Sequence, residues 1–141
     1  MAINPFSGLD KALRQSVVDA NLGLPYAAVE NAPFEKPAAQ VPWAAIFILE
    51  NQPSVATLGH EGQDAHDGIL QIDLNYPLNS GTAAVTAKAD ALSAFYVAGK
   101  RFAHSGVELT VTSCGRSRGR EVDGWYRVSM TIPWFARVSR N

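Results

Sequence analysis

Between Gly68 and Gly81 the chain reads GILQIDLNYPLNSG, with Leu70, Ile72, Leu74 and Tyr76 alternating against Gln71, Asp73 and Asn75. A period of two sends the two sets to opposite sides of an extended backbone, so this stretch is a strand with one buried face and one face for solvent or a partner. Pro77 lacks the amide proton that a ladder needs and ends the strand, and Asn79, Ser80 and Gly81 supply turn chemistry before an amphipathic segment begins. The pattern is that of a strand feeding a helix, and it carries no catalytic motif.

The flanking segments give the rest of the architecture. Ser7 is the expected N-cap of a first helix, with Asp10 complementing its free amides and Leu9, Leu13, Val17 and Ala20 forming an apolar stripe up to about Leu22. Gly23 closes that helix and Pro25 prevents its extension. Pro25, Pro33, Pro37 and Pro42 leave room only for a short strand from Tyr26 to Glu30 inside a long connecting loop. Trp43 to Glu50, WAAIFILE, is apolar on both alternating faces, as in a strand at the middle of a sheet or covered on both sides. Ser54 to Leu58 is expected to pair back as a strand, and Gly59 to Asp67, polar and interrupted by glycine, as an exposed hairpin tip or loop.

A second helix is expected from about Thr82 to Ala98, with Val85, Ala89, Leu92, Phe95 and Tyr96 on one face and Gly99 as its C-cap. Val107 to Ser113 and Trp125 to Val138 alternate again and are expected to form a hairpin pair. The CGRSRGREVDG connection between them reads as polar, flexible and locally basic. Together these elements predict an α+β fold: a two-layer sandwich of a mainly antiparallel sheet with two helices packed on one face, the other face being polar and open.

A chain of 141 residues, 47% apolar, predicts a single domain over residues 1–141. Lys and Arg number 12 against 13 Asp and Glu, a net charge of -1 that gives no general attraction to nucleic acid or to acidic membranes. The lone Cys114 has no intrachain disulfide partner, which fits synthesis in a reducing cytoplasm. The N-terminus lacks the features of a secretory signal, and no apolar run approaches the roughly 20 residues that span a bilayer. No membrane partner is expected.

Among chemistry-bearing residues, His60, Glu61, Asp64, His66 and Asp67 are metal-ligand types close together in sequence, yet their spacing matches no metal motif and fits a solvated loop. His104, before Ser105 and Gly106, reads as a turn residue. Cys114 beside Arg116 has neither a base nor an oxyanion motif and reads as inert. The glycines of GRSRGR lack the spacing of a phosphate-cradling loop. Arg116, Arg118 and Arg120 form the sharper feature, because three guanidiniums on one loop can grip carboxylates or phosphates. Trp43, Trp125 and Trp134 are expected as core or sheet-edge anchors. No catalytic, metal or cofactor-binding residue is assigned.

Three segments, LPYAAVENAPFEKP (24–37), GILQIDLNYPLNSGTAAVTAKADALSAFY (68–96) and GWYRVSMTIPWFA (124–136), resemble in order and spacing a family of small tailed-phage and prophage proteins, the tail terminators. The resemblance covers nearly the whole chain. It implies a non-enzymatic minor tail protein of the virion with no cofactor, a homo-oligomer forming a hexameric ring on the tail tube. Its implied partners are the tail tube protein, whose polymerisation it stops, the head-completion or neck proteins, and other copies of itself, with DNA only in transit through the lumen. A neck or head–tail joining protein is the alternative, followed by a small metal-dependent or nucleic-acid-binding domain. Gln71, Asp73 and Asn75, on the outward face, join Arg116, Arg118 and Arg120 as the candidate subunit or partner surface.

Overall fold

The computed structural model describes residues 3–25, 27–38 and 40–140. Helix α1 spans Pro5–Ala20, one turn earlier than expected, because Pro5 occupies its first turn, where the missing amide has no carbonyl to serve. Asn4 therefore takes the N-cap position in place of Ser7. Asn21, at φ 50°, ends the helix by donating its amide to the carbonyl of Val18. Helix α2 spans Ala83–Phe95 with Tyr96 at its C-cap, so Gly99 lies beyond the helix end.

The strands are β1 (Ala27–Val29), β2 (Trp43–Glu50), β3 (Ser54–Val55), β4 (Gln63–Pro77), β5 (Arg101–His104), β6 (Val107–Val111), β7 (Gly115–Arg116), β8 (Arg120–Val122) and β9 (Trp125–Ser139). They form one sheet in the order β1-β2-β4-β9-β6-β5, with β3 attached to β4 and with β7 and β8 attached to β9. The β1–β2 pair is parallel and the others are antiparallel, so the sheet is mixed and the fold is of the α+β class. Of the expected Tyr26 to Glu30 strand, Tyr26 lies outside the described residues.

Strands β4 and β9, 15 residues each, pair in register from Gln63 opposite Ser139 to Pro77 opposite Trp125. They are the axis of the sheet. Strand β2 pairs with β4 from Trp43 opposite Asn75 to Glu50 opposite Gly68 and lies one place from the β1 edge. The alternation that begins at Leu70 extends backwards beyond the glycine, so Gln63 to Asp67, expected as part of a loop, is strand. Their polar side chains hid the pattern, since β9 supplies the pairing partner whatever their hydropathy. The Ser54 to Leu58 strand is correspondingly shorter than expected, with only Ser54 and Val55 opposite Ala65 and Asp64.

The main core joins Leu9, Ala12 and Leu13 of α1 and Val85, Ala89 and Leu92 of α2 to Leu70, Ile72 and Leu74 of β4 and Val128, Met130, Ile132 and Trp134 of β9. Ser16 and Tyr96 meet beneath the helices, with their hydroxyl oxygens 2.9 Å apart, while the Ser16 hydroxyl also lies 2.6 Å from the carbonyl of Leu13. A second, smaller core of Trp43, Ala45 and Trp125, with Ala28, Phe34 and Phe47 packed against it, lies on the other side of the sheet. There Phe34, from the proline-rich loop, lies tilted at 33° against Trp43 at 5.1 Å between ring centres, and Trp43 meets Trp125 edge to face at 5.9 Å. The face expected to be polar and open is thus covered at this end by Phe34 from the proline-rich loop, which is partly buried there.

Candidate functional site

Gln71, Asp73 and Asn75 do point away from the main core, but two of them are withdrawn from solvent. Asp73 is 4% exposed and Asn75 0%, while Gln71 stays half-buried. The Gln71 amide donates to the Asp73 carboxylate at 3.0 Å, the Asn75 amide donates to the Asp73 carbonyl at 3.2 Å, and Arg127 Nε donates to Asn75 Oδ1 at 2.8 Å. A buried polar group needs such partners. Trp43 stands beside Asn75 in the ladder and Arg127 on its other side, so neighbouring strands, invisible in a local pattern, close over it.

The arginine loop folds back onto β9 and pairs with it. Gly115 and Arg116 pair with Thr131 and Met130, and Arg120 to Val122 with Arg127 to Trp125. Asp123 and Gly124, at φ 51° and φ 84°, make the two-residue turn that a tight hairpin requires. Ser117 pins the loop: its hydroxyl accepts from the Ser129 amide and from Arg120 Nη1, both at 3.0 Å, and its amide donates to the Ser129 carbonyl. Arg120 also donates to Ser129 Oγ at 3.1 Å. Arg116, Arg118 and Arg120 all remain exposed. The structure therefore gathers Asp73, Asn75 and Arg120, already grouped from the sequence, on one face of the sheet with Ser117, Ser129 and Arg127, which the sequence did not mark.

The cluster suggestive of a metal is taken apart by the fold. Asp64 forms an ion pair with Arg140 at 2.6 Å, and His66 is buried edge-on against Phe6 at 5.7 Å between ring centres. Among the described residues, no three His, Cys, Asp or Glu side chains converge on a metal-sized site. Burial pushes the Cys114 thiol up, the opposite of an activated nucleophile. Desolvation, and then the charge of Asp10, raise the Glu50 carboxyl in an open recess lined by Phe6, Asp10, Arg14, Glu30 and Glu50. Ser7 also lines that recess, and among the described residues it has no histidine beside it there to act as a base.

Two apolar features escaped the sequence reading. At the far end of the β4–β9 ribbon, the Arg140 guanidinium donates through Nε to the Gly59 carbonyl at 3.2 Å, through Nη1 to the Gln63 carbonyl at 2.9 Å and the Asp64 carboxylate, and through Nη2 to the carbonyls of Thr57 and Gly59. The clamped loop holds Leu58 out, 91% exposed. At the other end, Arg14, Val17 and Val18 of α1 face Ala27, Val29 and Ile46 across an almost wholly apolar groove of about 220 Å3. An arginine near a chain terminus and a helix valine carry no signal of either role until the fold places them.

Comparison with known proteins accords with this geometry. A family described as phage tail terminator protein matches residues 8–134. No curated protein sequence matches. One solved structure is similar at a TM-score of 0.64 and 19% identity, over 94% of this chain and 92% of its own. A chain in the virion of a native gene transfer agent particle is similar at a TM-score of 0.55 and 20% identity, over 94% of this chain and 96% of that one. At these identities the structural likeness establishes the fold alone.

Proposed function

The chain belongs to the phage tail terminator family, and from that premise we propose that it is a non-enzymatic structural component of a virion tail that closes into a homo-oligomeric, hexameric ring on the end of the tail tube. In that position it stops addition of tube subunits and presents a surface to the head-completion proteins. The observation that carries this reading is the family match, which runs from α1 into β9 and so takes in β1 to β8 and the first ten residues of β9.

The physical logic is closure. Among the described residues the sheet ends in two edges with no outer partner, the three-residue β1 and the four-residue β5, and an open edge is a template for further pairing. Subunits joined head to tail through unlike patches either close or grow without limit, and a ring is the arrangement that stops. Gln71, Arg116, Arg118 and Arg120 supply the polar part of the partner or lumen surface, with Asp73 and Asn75 holding it from beneath. Passing DNA is served by loose rather than tight phosphate contacts.

Negative-stain images of the purified protein, with and without tail tubes, test assembly and location together, and rings seated on tube ends are expected. Removing the protein should leave tails of uncontrolled length. Tails of normal length that still join heads would overturn the proposal, and tails of normal length without heads would assign the protein to the neck instead.

A further inference from the structure

We propose that Leu58 of one copy enters the α1–β1 groove of the next copy, so that the clamped tip loop and this groove are the two halves of the contact between subunits. The inference rests on the reading of the chain as ring-forming and names the surfaces that would form the ring.

A single exposed leucine is ordinary, and exposure alone says little. What sets this one apart is its mounting. The carbonyls of Thr57 and Gly59, the residues on either side of Leu58, both accept from Arg140 Nη2. The Gln63 amide donates to Thr57 Oγ1 at 2.6 Å, and the Gly62 amide to the Gly59 carbonyl at 3.1 Å. A loop pinned this way has given up its freedom before any partner arrives, which removes much of the ordering cost of an interface.

The groove has the matching character. Val18 is 70% exposed and Val29 39%, and its one polar residue, Arg14, is engaged through Nε with Asp10 at 2.8 Å. It has room for a branched aliphatic side chain and lies along β1, so an occupant would also cover an open sheet edge. Leu58 cannot reach the groove of its own chain. Ile46 pairs with Ile72, and at about 3.4 Å per residue the strand carries Gln63 and the loop beyond it about 30 Å away. The contact is therefore between chains, and knob and groove are different surfaces, as head-to-tail closure demands.

The test uses the full chain in sedimentation experiments over a concentration series. Leu58→Asp and Val29→Asp should each weaken assembly by about tenfold or more without lowering the melting temperature, the loss expected when one aliphatic side chain no longer finds an apolar pocket. Val18→Asp, on the exposed face of α1, replaces Val29→Asp should the edge strand not tolerate the charge. In a Cys114→Ser background, chains carrying Leu58→Cys mixed with chains carrying Val29→Cys should cross-link with a short bis-maleimide, whereas neither should do so alone. Assembly that persists in Leu58→Asp, or Leu58→Cys chains that cross-link to each other, overturns this contact and leaves the ring reading standing. A wild-type chain that stays monomeric at every concentration and fails to bind tail tubes overturns both.

Discussion

Arg140 Nη1 lies 2.6 Å from Asp64 Oδ1, joining residues 76 apart in sequence and tying the end of β9 to the start of β4. The same guanidinium holds three backbone carbonyls of the tip loop, so one side chain substitutes for the sheet pairing that this loop lacks.

Arg140→Ala should free the tip loop while sparing the core. The ion pair is part-exposed, so the expected loss of stability is only about 1 to 2 kcal/mol. Hydrogen exchange at residues 57–63 and proteolysis beside Leu58 should rise sharply. Unchanged protection of those amides would show that Arg140 is not what holds them.

Gly62→Ala should disturb the same loop from inside. A Cβ there would run into the carbonyls of Thr57 and Leu58 and the Arg140 guanidinium, and such overpacking costs about 1 to 3 kcal/mol. Gly115→Ala, with open space around its Cβ, serves as the control and should stay within about 0.5 kcal/mol of wild type. Chemical denaturation of both variants decides the matter, and equal stabilities would count against a packed loop.

Burial pushes the Tyr96 phenol up to about 12, against the opposing effect of its hydrogen bond with Ser16. Above about pH 10 an unfolded chain releases this proton while the folded chain keeps it, so the unfolded state binds fewer protons and stability falls as pH rises. The contribution is fully present below about pH 10, and the loss amounts to about 2 to 3 kcal/mol by about pH 12. Tyr96→Phe should flatten the alkaline slope of a denaturation series, leaving the smaller parts from Tyr76 and Cys114, whose values burial also raises. An unaltered slope would mean that Tyr96 is not the group responsible.

Asp73→Lys should destabilise the folded chain itself and not only its assembly. The new ammonium would replace the acceptor of the Gln71 amide at a 4% exposed position, with Arg127 and Arg120 on the strands nearby. A penalty of about 3 kcal/mol or more is expected for an unpaired buried charge. Gln71→Lys, half-buried, should leave the melting temperature nearly unchanged and is the better probe of a partner surface. Equal melting curves for the two would show that Asp73 is not enclosed.

The expected helices and the strands of strong alternation, including 125–138, are where the hydropathy pattern places them, because local period reports directly on which face is buried. Gln63 to Asp67 and the arginine loop escaped because their pairing with β9 is made by backbone groups and by Ser117 and Ser129, which no hydropathy pattern marks. The helix limits moved by a few residues for local reasons, chiefly Pro5.

What the sequence determined by itself is the division of residues between an apolar side and a polar side, together with the α+β class that follows. What only the tertiary structure decided is which polar residues reach water. Asp73 and Asn75 carry an outward-facing pattern, but Trp43, Arg127 and the Phe34 loop, distant in sequence, close over that end of the sheet. Leu58 carries an apolar label, but the Arg140 clamp holds it in solvent. Alternation along a strand fixes the direction of a side chain, whereas its burial depends on what the rest of the chain brings to that side.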